Sequence, residues 1–260
     1  MYGAIIGDIV GSRFEGNPHK SKEFELFTDE CTPTDDSVLT VAVAEAIMTD
    51  NDFESHLRHW GVKYPNAGYG GTFIHWLANE IPAYNSYGNG SAMRVSPIGW
   101  AYHDLETTRK MARKSAEVTH SHPEGIKGAE SVASAIWMAR NRYNKNEIKQ
   151  YIEKEFGYDL SRKLDDIRKT YRFDVTCPGS VPEAIICFLE GEDFEDTIRN
   201  AVSLGGDSDT QAAIAGSIAE AFFGIPPHLI DICNNRYLPQ EMRNVIINFY
   251  TSFVRKLCII

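Results

Sequence analysis

Cysteine is scarce, and none of it sits at metal-binding or redox spacing. The five cysteines, Cys31, Cys177, Cys187, Cys233 and Cys258, form no CxxC pair and leave one over, which argues against a disulfide framework or a zinc site. A reducing cytoplasm is the expected location. Long apolar runs are also missing: charges or prolines interrupt every candidate before the roughly 18 uninterrupted apolar residues needed to cross a bilayer, so no membrane partner is expected. The apolar opening Met1 to Gly11 lacks a basic leader and contains Asp8, so it does not read as a signal peptide. Basic residues are in deficit, 26 against 36 acids, and the formal net charge of -10 weighs against binding to a nucleic-acid backbone. No alternating strands, no internal repeat and no Gly/Ser-rich or Pro-rich linker appear. A single domain over residues 1–260 is the expectation.

What the chain does have is helical periodicity. Apolar residues recur at helical spacing in Val38–Met48, Met93–Tyr102, Ile126–Met138, Ile198–Leu204, Ile214–Phe223 and Met242–Leu257, with polar or Gly/Pro punctuation between them. Gly3, Gly7 and Gly11 fall four apart, so on a helix they form one bare face that admits a neighbouring helix. That spacing is not the dinucleotide-binding fingerprint, which needs G-x-G-x-x-G after a strand. Residues 141–174 are the most charged stretch and read as a peripheral, solvated helical hairpin within the domain. The fold class expected is all-α, a single-domain helical bundle.

Two acidic segments stand out, Thr34-Asp35-Asp36-Ser37 and Gly205-Gly206-Asp207-Ser208-Asp209-Thr210, each running into a helix of small residues. Either one alone reads as ordinary capping: Ser208 and Gln211 have capping-box spacing, and acids suit a first helical turn. Together they say more. If the two helix starts converge, four carboxylates meet, and like charges so close cannot all ionise unless cations compensate them. Ligation by carboxylate and hydroxyl oxygen alone selects Mg²⁺, Mn²⁺ or Ca²⁺ over zinc.

The run Ser86-Tyr87-Gly88-Asn89-Gly90-Ser91 reads as a turn feeding a helix, with glycines that let backbone N–H groups face an anion. It lacks the phosphate-transferring lysine of a P-loop. His120 and His122 have neither a GxSxG elbow nor a soft-metal partner set, and His122 reads as helix-entry structure. Glu15, taken alone, is an ordinary surface carboxylate.

In chain order the motifs Gly7-Asp8-x-x-Gly11-Ser12-x-Phe14-Glu15, Thr34-Asp35-Asp36, Gly68-Tyr69-Gly70, Ser86 to Arg94 and Gly205 to Thr210 resemble those of the ADP-ribosylglycohydrolases. The resemblance implies an all-helical enzyme with two Mg²⁺ or Mn²⁺ ions at its centre, held by Thr34, Asp35, Asp36, Asp207, Asp209 and Thr210. It implies catalytic roles for Glu15 and Asp36. It implies ADP-ribose contacts from Gly68, Gly70, Ser86, Tyr87, Gly88, Asn89, Gly90, Ser91 and His120. The expected reaction is hydrolysis of the glycosidic bond between ADP-ribose and an acceptor, a protein arginine ahead of a serine, with ADP-ribose as product. Two other readings stand beside it: a non-enzymatic ADP-ribose binder, since the fold also resembles certain lens crystallins, and a metal phosphohydrolase that cuts the diphosphate.

Overall fold

Residues 208–223 form an axis around which several of the other helices pack. The computed structural model describes residues 1–79 and 82–254, and among these there are helices and only isolated bridges, Asn85 with His120 and Gly88 with Thr176, but no strand. The helices are Tyr2–Gly11, Asp35–Thr49, Phe53–Lys63, Gly71–Ala78, Gly90–Met93, Ser96–Ala101, Leu105–Glu117, Pro123–Arg140, Lys145–Phe156, Leu164–Thr170, Cys177–Glu190, Phe194–Val202, Ser208–Phe223, Pro227–Ile232 and Gln240–Phe249. The axial helix is buried from Ser208 to Glu220 and touches Tyr2–Gly11, Phe194–Val202, Cys177–Glu190 and Pro123–Arg140. From Ala212 to Ala219 it is built only from Ala, Ile, Ser and Gly, because a helix surrounded on all sides leaves little room for long side chains. It stops at Gly224, whose φ of 77° a side chain would resist.

The glycine stripe of the first helix does what its spacing predicts. A Cβ on Gly7 would lie 2.1 Å from the carbonyl oxygen of Ala212, and one on Gly3 would lie 2.1 Å from that of Gly216. Backbone therefore meets backbone, and the contact holds Asp8 beside the start of the axial helix. Gly7→Ala should lower stability by about 3 kcal/mol or more, the upper end of the usual cost of overpacking, because the atom it strikes is main chain that cannot swing aside. A parental urea midpoint for this variant would show that the two helices do not approach this closely.

All six periodic segments are helical in their main part, with three amendments. Met93–Tyr102 divides at Arg94 and Val95, where a new helix begins at Ser96 with Pro97 in its first turn, Ile198–Leu204 leaves its helix after Val202, and residues 255–257 at the end of the last segment lie outside the described residues. Residues 141–174 carry two helices. Lys145–Phe156 has a complete capping box between Asn144 and Glu147, and it buries Ile148, Ile152 and Phe156. After Thr170 the chain packs against the next helix, where the half-buried Tyr171 donates its hydroxyl to the Gly179 carbonyl at 2.7 Å. The four described cysteines are free and buried. No helix among the described residues is long and apolar enough to cross a membrane.

Candidate active site

The starts of two helices, Asp35–Thr49 and Ser208–Phe223, come together at one end of the axis. Capping accounts for little of their acidity. Thr34, extended at φ −108°, caps the first of them by accepting from the Asp36 N–H at 3.3 Å, which leaves the carboxylates of Asp35 and Asp36 for other work. Asp207 occupies the N-cap position of the second, yet its side chain makes no capping bond. The capping box expected between Ser208 and Gln211 does not form. Ser208 lies one position inside the helix and its hydroxyl donates to the Gly206 carbonyl, while both amide atoms of Gln211 are buried without partners among the described residues.

Asp8 is the residue that the sequence reading left out of the site. It is fully buried on the first helix, and its carboxylate accepts from the Thr34 N–H at 2.9 Å, the Thr34 hydroxyl at 2.7 Å, the Ser37 N–H at 3.0 Å and the Ser37 hydroxyl. Four donors from the Thr34–Ser37 turn thus converge on one side chain. Asp8 fixes the turn that presents Asp35 and Asp36. The available signal was a lone acid between Gly7 and Ile9-Val10, in a helix otherwise buried on every face.

Two trios of carboxylates result. Ligand atoms of Asp8, Asp36 and Asp209 lie within 4.8 Å of one another, as do those of Glu15, Asp207 and Asp209, so Asp209 belongs to both. Burial pushes the carboxyls of Asp36 and Asp209 well above the ordinary range, and the facing acids, Asp8 first for Asp36 and Asp36 first for Asp209, push them further. Asp35 is pushed up to about 8 by burial and by the charges of Asp8 and Asp207, and burial alone is the leading cause for Asp8, at about 6. Asp207 is raised by burial although Asn89 donates to it at 2.6 Å. Asp36 Oδ1 is buried with no hydrogen-bond partner among the described residues. An orphaned carboxylate oxygen among acids that oppose one another's ionisation is what a hard divalent ion would satisfy, and the donors are all oxygen.

Above the acids opens a cleft of about 320 Å³. Glu15, Asp35, Asp36, Asp207, Asp209 and Thr210 line it, together with Gly68, Gly70, Ser86, Gly88, Asn89, Gly90 and His120. Glu15 is exposed at the mouth, just after the short 3-10 turn Ser12–Phe14. Thr210 donates to Asp36 Oδ2 at 3.2 Å and so ties the two motifs directly. Gly68, at φ 99°, passes over Asp35, a path that favours glycine. Three expected site residues stand apart from the cleft lining. Thr34 faces Asp8 from behind, the Ser91 hydroxyl is buried and donates to the Gly125 carbonyl at 2.7 Å, and Tyr87 lies on the outer rim, 51 % exposed, with its ring 5.3 Å from that of His122. His122 caps the helix Pro123–Arg140 by accepting from the Glu124 N–H, as its helix-entry reading foresaw.

The sequence reading also passed over Tyr84 and Arg94, both in the cleft lining. Arg94 is fully buried, and its Nη2 donates to the Ser115 carbonyl at 3.0 Å and to the Thr119 hydroxyl at 2.8 Å. Burial lowers it to about 10, so it stays charged. Burial, and after it the Arg94 charge, hold the His120 imidazole well below its usual range.

A family model described as ADP-ribosylglycohydrolase matches residues 1–256. Among characterised relatives, the human protein named ADP-ribosylhydrolase ARH3 is 28% identical over 86% of this chain and 84% of its own length. The ADP-ribosylarginine hydrolase Tri1 of Pseudomonas putida (strain GB-1) is 23% identical, over 89% of this chain and 72% of its own. A solved structure titled ADP-ribosylglycohydrolase-related protein complex superposes with a TM-score of 0.74 at 25% identity, covering 96% of this chain and 95% of that one.

Proposed function

The chain belongs to the ADP-ribosylglycohydrolase family and is a glycosidic hydrolase; from that premise we propose that it releases ADP-ribose from a protein side chain, arginine ahead of serine, with two Mg²⁺ or Mn²⁺ ions seated among its aspartates. The observation that carries the metal reading is the sharing of Asp209 by two carboxylate trios, beside an Asp36 oxygen that no group among the described residues satisfies. Asp35, Asp36, Asp207, Asp209 and Thr210 would hold the ions, with Thr34 behind them keeping the turn in place. The ions would supply Lewis-acid polarisation and a fixed seat for the ribose hydroxyls.

The chain's own groups would do the rest. Glu15 stands at the mouth with its carboxyl raised by burial and by the charges of Asp207 and Asp8, a setting in which it accepts a proton from an attacking water more readily than a solvated carboxylate. Such water would meet the anomeric carbon as the bond to the acceptor loosens through an oxocarbenium-like state. The acids of this region would also stabilise that positive charge. Gly88, Asn89 and Gly90 would face the diphosphate, and the exposed Tyr87 ring would offer its face to the adenine. An acidic mouth suits a cationic guanidinium acceptor better than a neutral serine hydroxyl, in keeping with the activity for which Tri1 is named. Mass spectrometry of the products from arginine-, serine- and nucleic-acid-linked ADP-ribose, each with Mn²⁺, tests the proposal. Intact ADP-ribose released fastest from arginine supports it; AMP would show cleavage of the diphosphate, and release from serine alone would reverse the acceptor preference.

Metal and proton compete for the same oxygens, which fixes a pH dependence. Asp8 and Asp35 rise from 3.8 to about 6 and about 8, so the metal-free folded state holds protons that the unfolded chain gives up. A raised acid contributes stability that is complete below the unfolded value and is lost as pH climbs through the folded one. The melting temperature in EDTA should therefore drop away from that with Mn²⁺ between about pH 4 and 8, the gap widening steadily, because the ion takes over from the proton. A gap of constant size across that range in thermal melts would mean that the ion neither binds Asp35 nor compensates the charge of Asp8 behind it.

A further inference from the structure

His120 enters the cleft with one ring nitrogen engaged and the other facing the ligand loop. Its Nδ1 lies 2.7 Å from the Thr119 hydroxyl oxygen. Its Nε2 faces the main chain of the loop, so close that a Cβ on Gly90 would lie 3.1 Å away. The Thr119 oxygen already accepts from Arg94 Nη2 at 2.8 Å, and its single hydrogen remains to be placed. Two acceptors are in reach, His120 Nδ1 and the hydroxyl of Tyr84. An sp² imidazole nitrogen accepts more strongly than a phenol oxygen, and a phenol donates more strongly than an aliphatic alcohol. The hydrogen therefore goes to Nδ1, and Tyr84 is left to donate. The buried Arg94 charge works in the same sense, since it disfavours a proton on the nitrogen nearer to it.

We propose that Arg94 and Thr119 are positioning residues that fix His120 as the neutral Nε2–H tautomer, so that it donates a hydrogen bond to an anionic oxygen of the bound diphosphate. The proposal rests on the reading of this cleft as the ADP-ribose site. Burial among the same groups keeps the ring uncharged at neutral pH. The tautomer matters because the alternative, Nδ1–H, would turn a nitrogen lone pair toward a dianion.

The test is a two-bond proton–nitrogen correlation spectrum of the ligand-free, histidine-labelled full chain, with the His120 signal assigned by its loss in His120→Gln. The parent and Thr119→Ser should show Nε2–H, whereas Thr119→Val, which keeps the shape and removes the hydroxyl, should shift to a mixture or to Nδ1–H. Calorimetry with free ADP-ribose should then show binding about tenfold weaker in Thr119→Val and near parental in Thr119→Ser, the loss of one charge-assisted bond. An Nδ1–H or charged ring in the parent overturns the proposal, as does Nε2–H that persists in Thr119→Val. A tautomer that shifts while ADP-ribose affinity stays parental would leave the relay in place and overturn instead the placement of the diphosphate at His120.

Discussion

Asp209→Asn should remove Mn²⁺ binding and slow hydrolysis by about a thousandfold, while leaving the metal-free protein as stable as the parent or more so. The first half follows from Asp209 belonging to both trios: a neutral amide takes away a charge that each divalent ion would need, and Lewis-acid catalysis worth several kcal/mol goes with it. The second half separates this from structural damage. Asp209 is buried and its carboxyl is pushed well above the ordinary range, so in the absence of metal it resembles the amide that replaces it. The one bond that it makes to the main chain, from the Thr210 N–H at 2.9 Å, an asparagine oxygen can accept as well. At pH 8 in EDTA the variant escapes the cost of ionising among Asp36 and Asp207, and so should melt no lower than the parent. Mn²⁺ calorimetry alongside thermal melts in EDTA decides the matter. Parental Mn²⁺ affinity would place the ions elsewhere, and a melt several degrees lower in EDTA would make Asp209 a structural residue.

Much of this was legible because it is local in sequence. The glycine stripe, the helical periods and the two acidic helix starts each declare themselves within about a dozen residues, where side-chain spacing maps directly onto a helix face. What stayed hidden depends on long-range contact. Asp8 meets Thr34 and Ser37 across 26 and 29 residues, and Arg94 reaches Thr119 across 25, distances at which periodicity carries no information. The failed capping box has a related cause. The helix begins one residue earlier than Ser208-x-x-Gln211 suggests, so Asp207 takes the cap position while tertiary contact with Asn89 takes its carboxylate. The acids were therefore visible as a pair of motifs, but the scaffold that aims them was visible only in part.

Glu15→Gln is the variant that tells chemistry from position. Glu15 is exposed at the cleft mouth, and among the described residues no hydrogen bond to another side chain holds it, so an amide of the same shape should leave the fold, the melting temperature and the affinity for ADP-ribose close to parental. Turnover should fall at least about a hundredfold, the range that general acid–base catalysis supplies, because a primary amide cannot take a proton from water. The pH profile sharpens the prediction. Burial, Asp207 and Asp8 raise the Glu15 carboxyl, so the parental rate should climb with pH on its acidic side as Glu15 ionises, and that limb should disappear in the variant. Because Glu15 also shares a trio with Asp207 and Asp209, Mn²⁺ affinity must be measured in parallel. A fall in turnover that excess Mn²⁺ restores would assign Glu15 to metal binding. A fall that persists at saturating Mn²⁺, with ADP-ribose affinity intact, assigns it to proton transfer, and unchanged turnover returns it to the ordinary surface carboxylates.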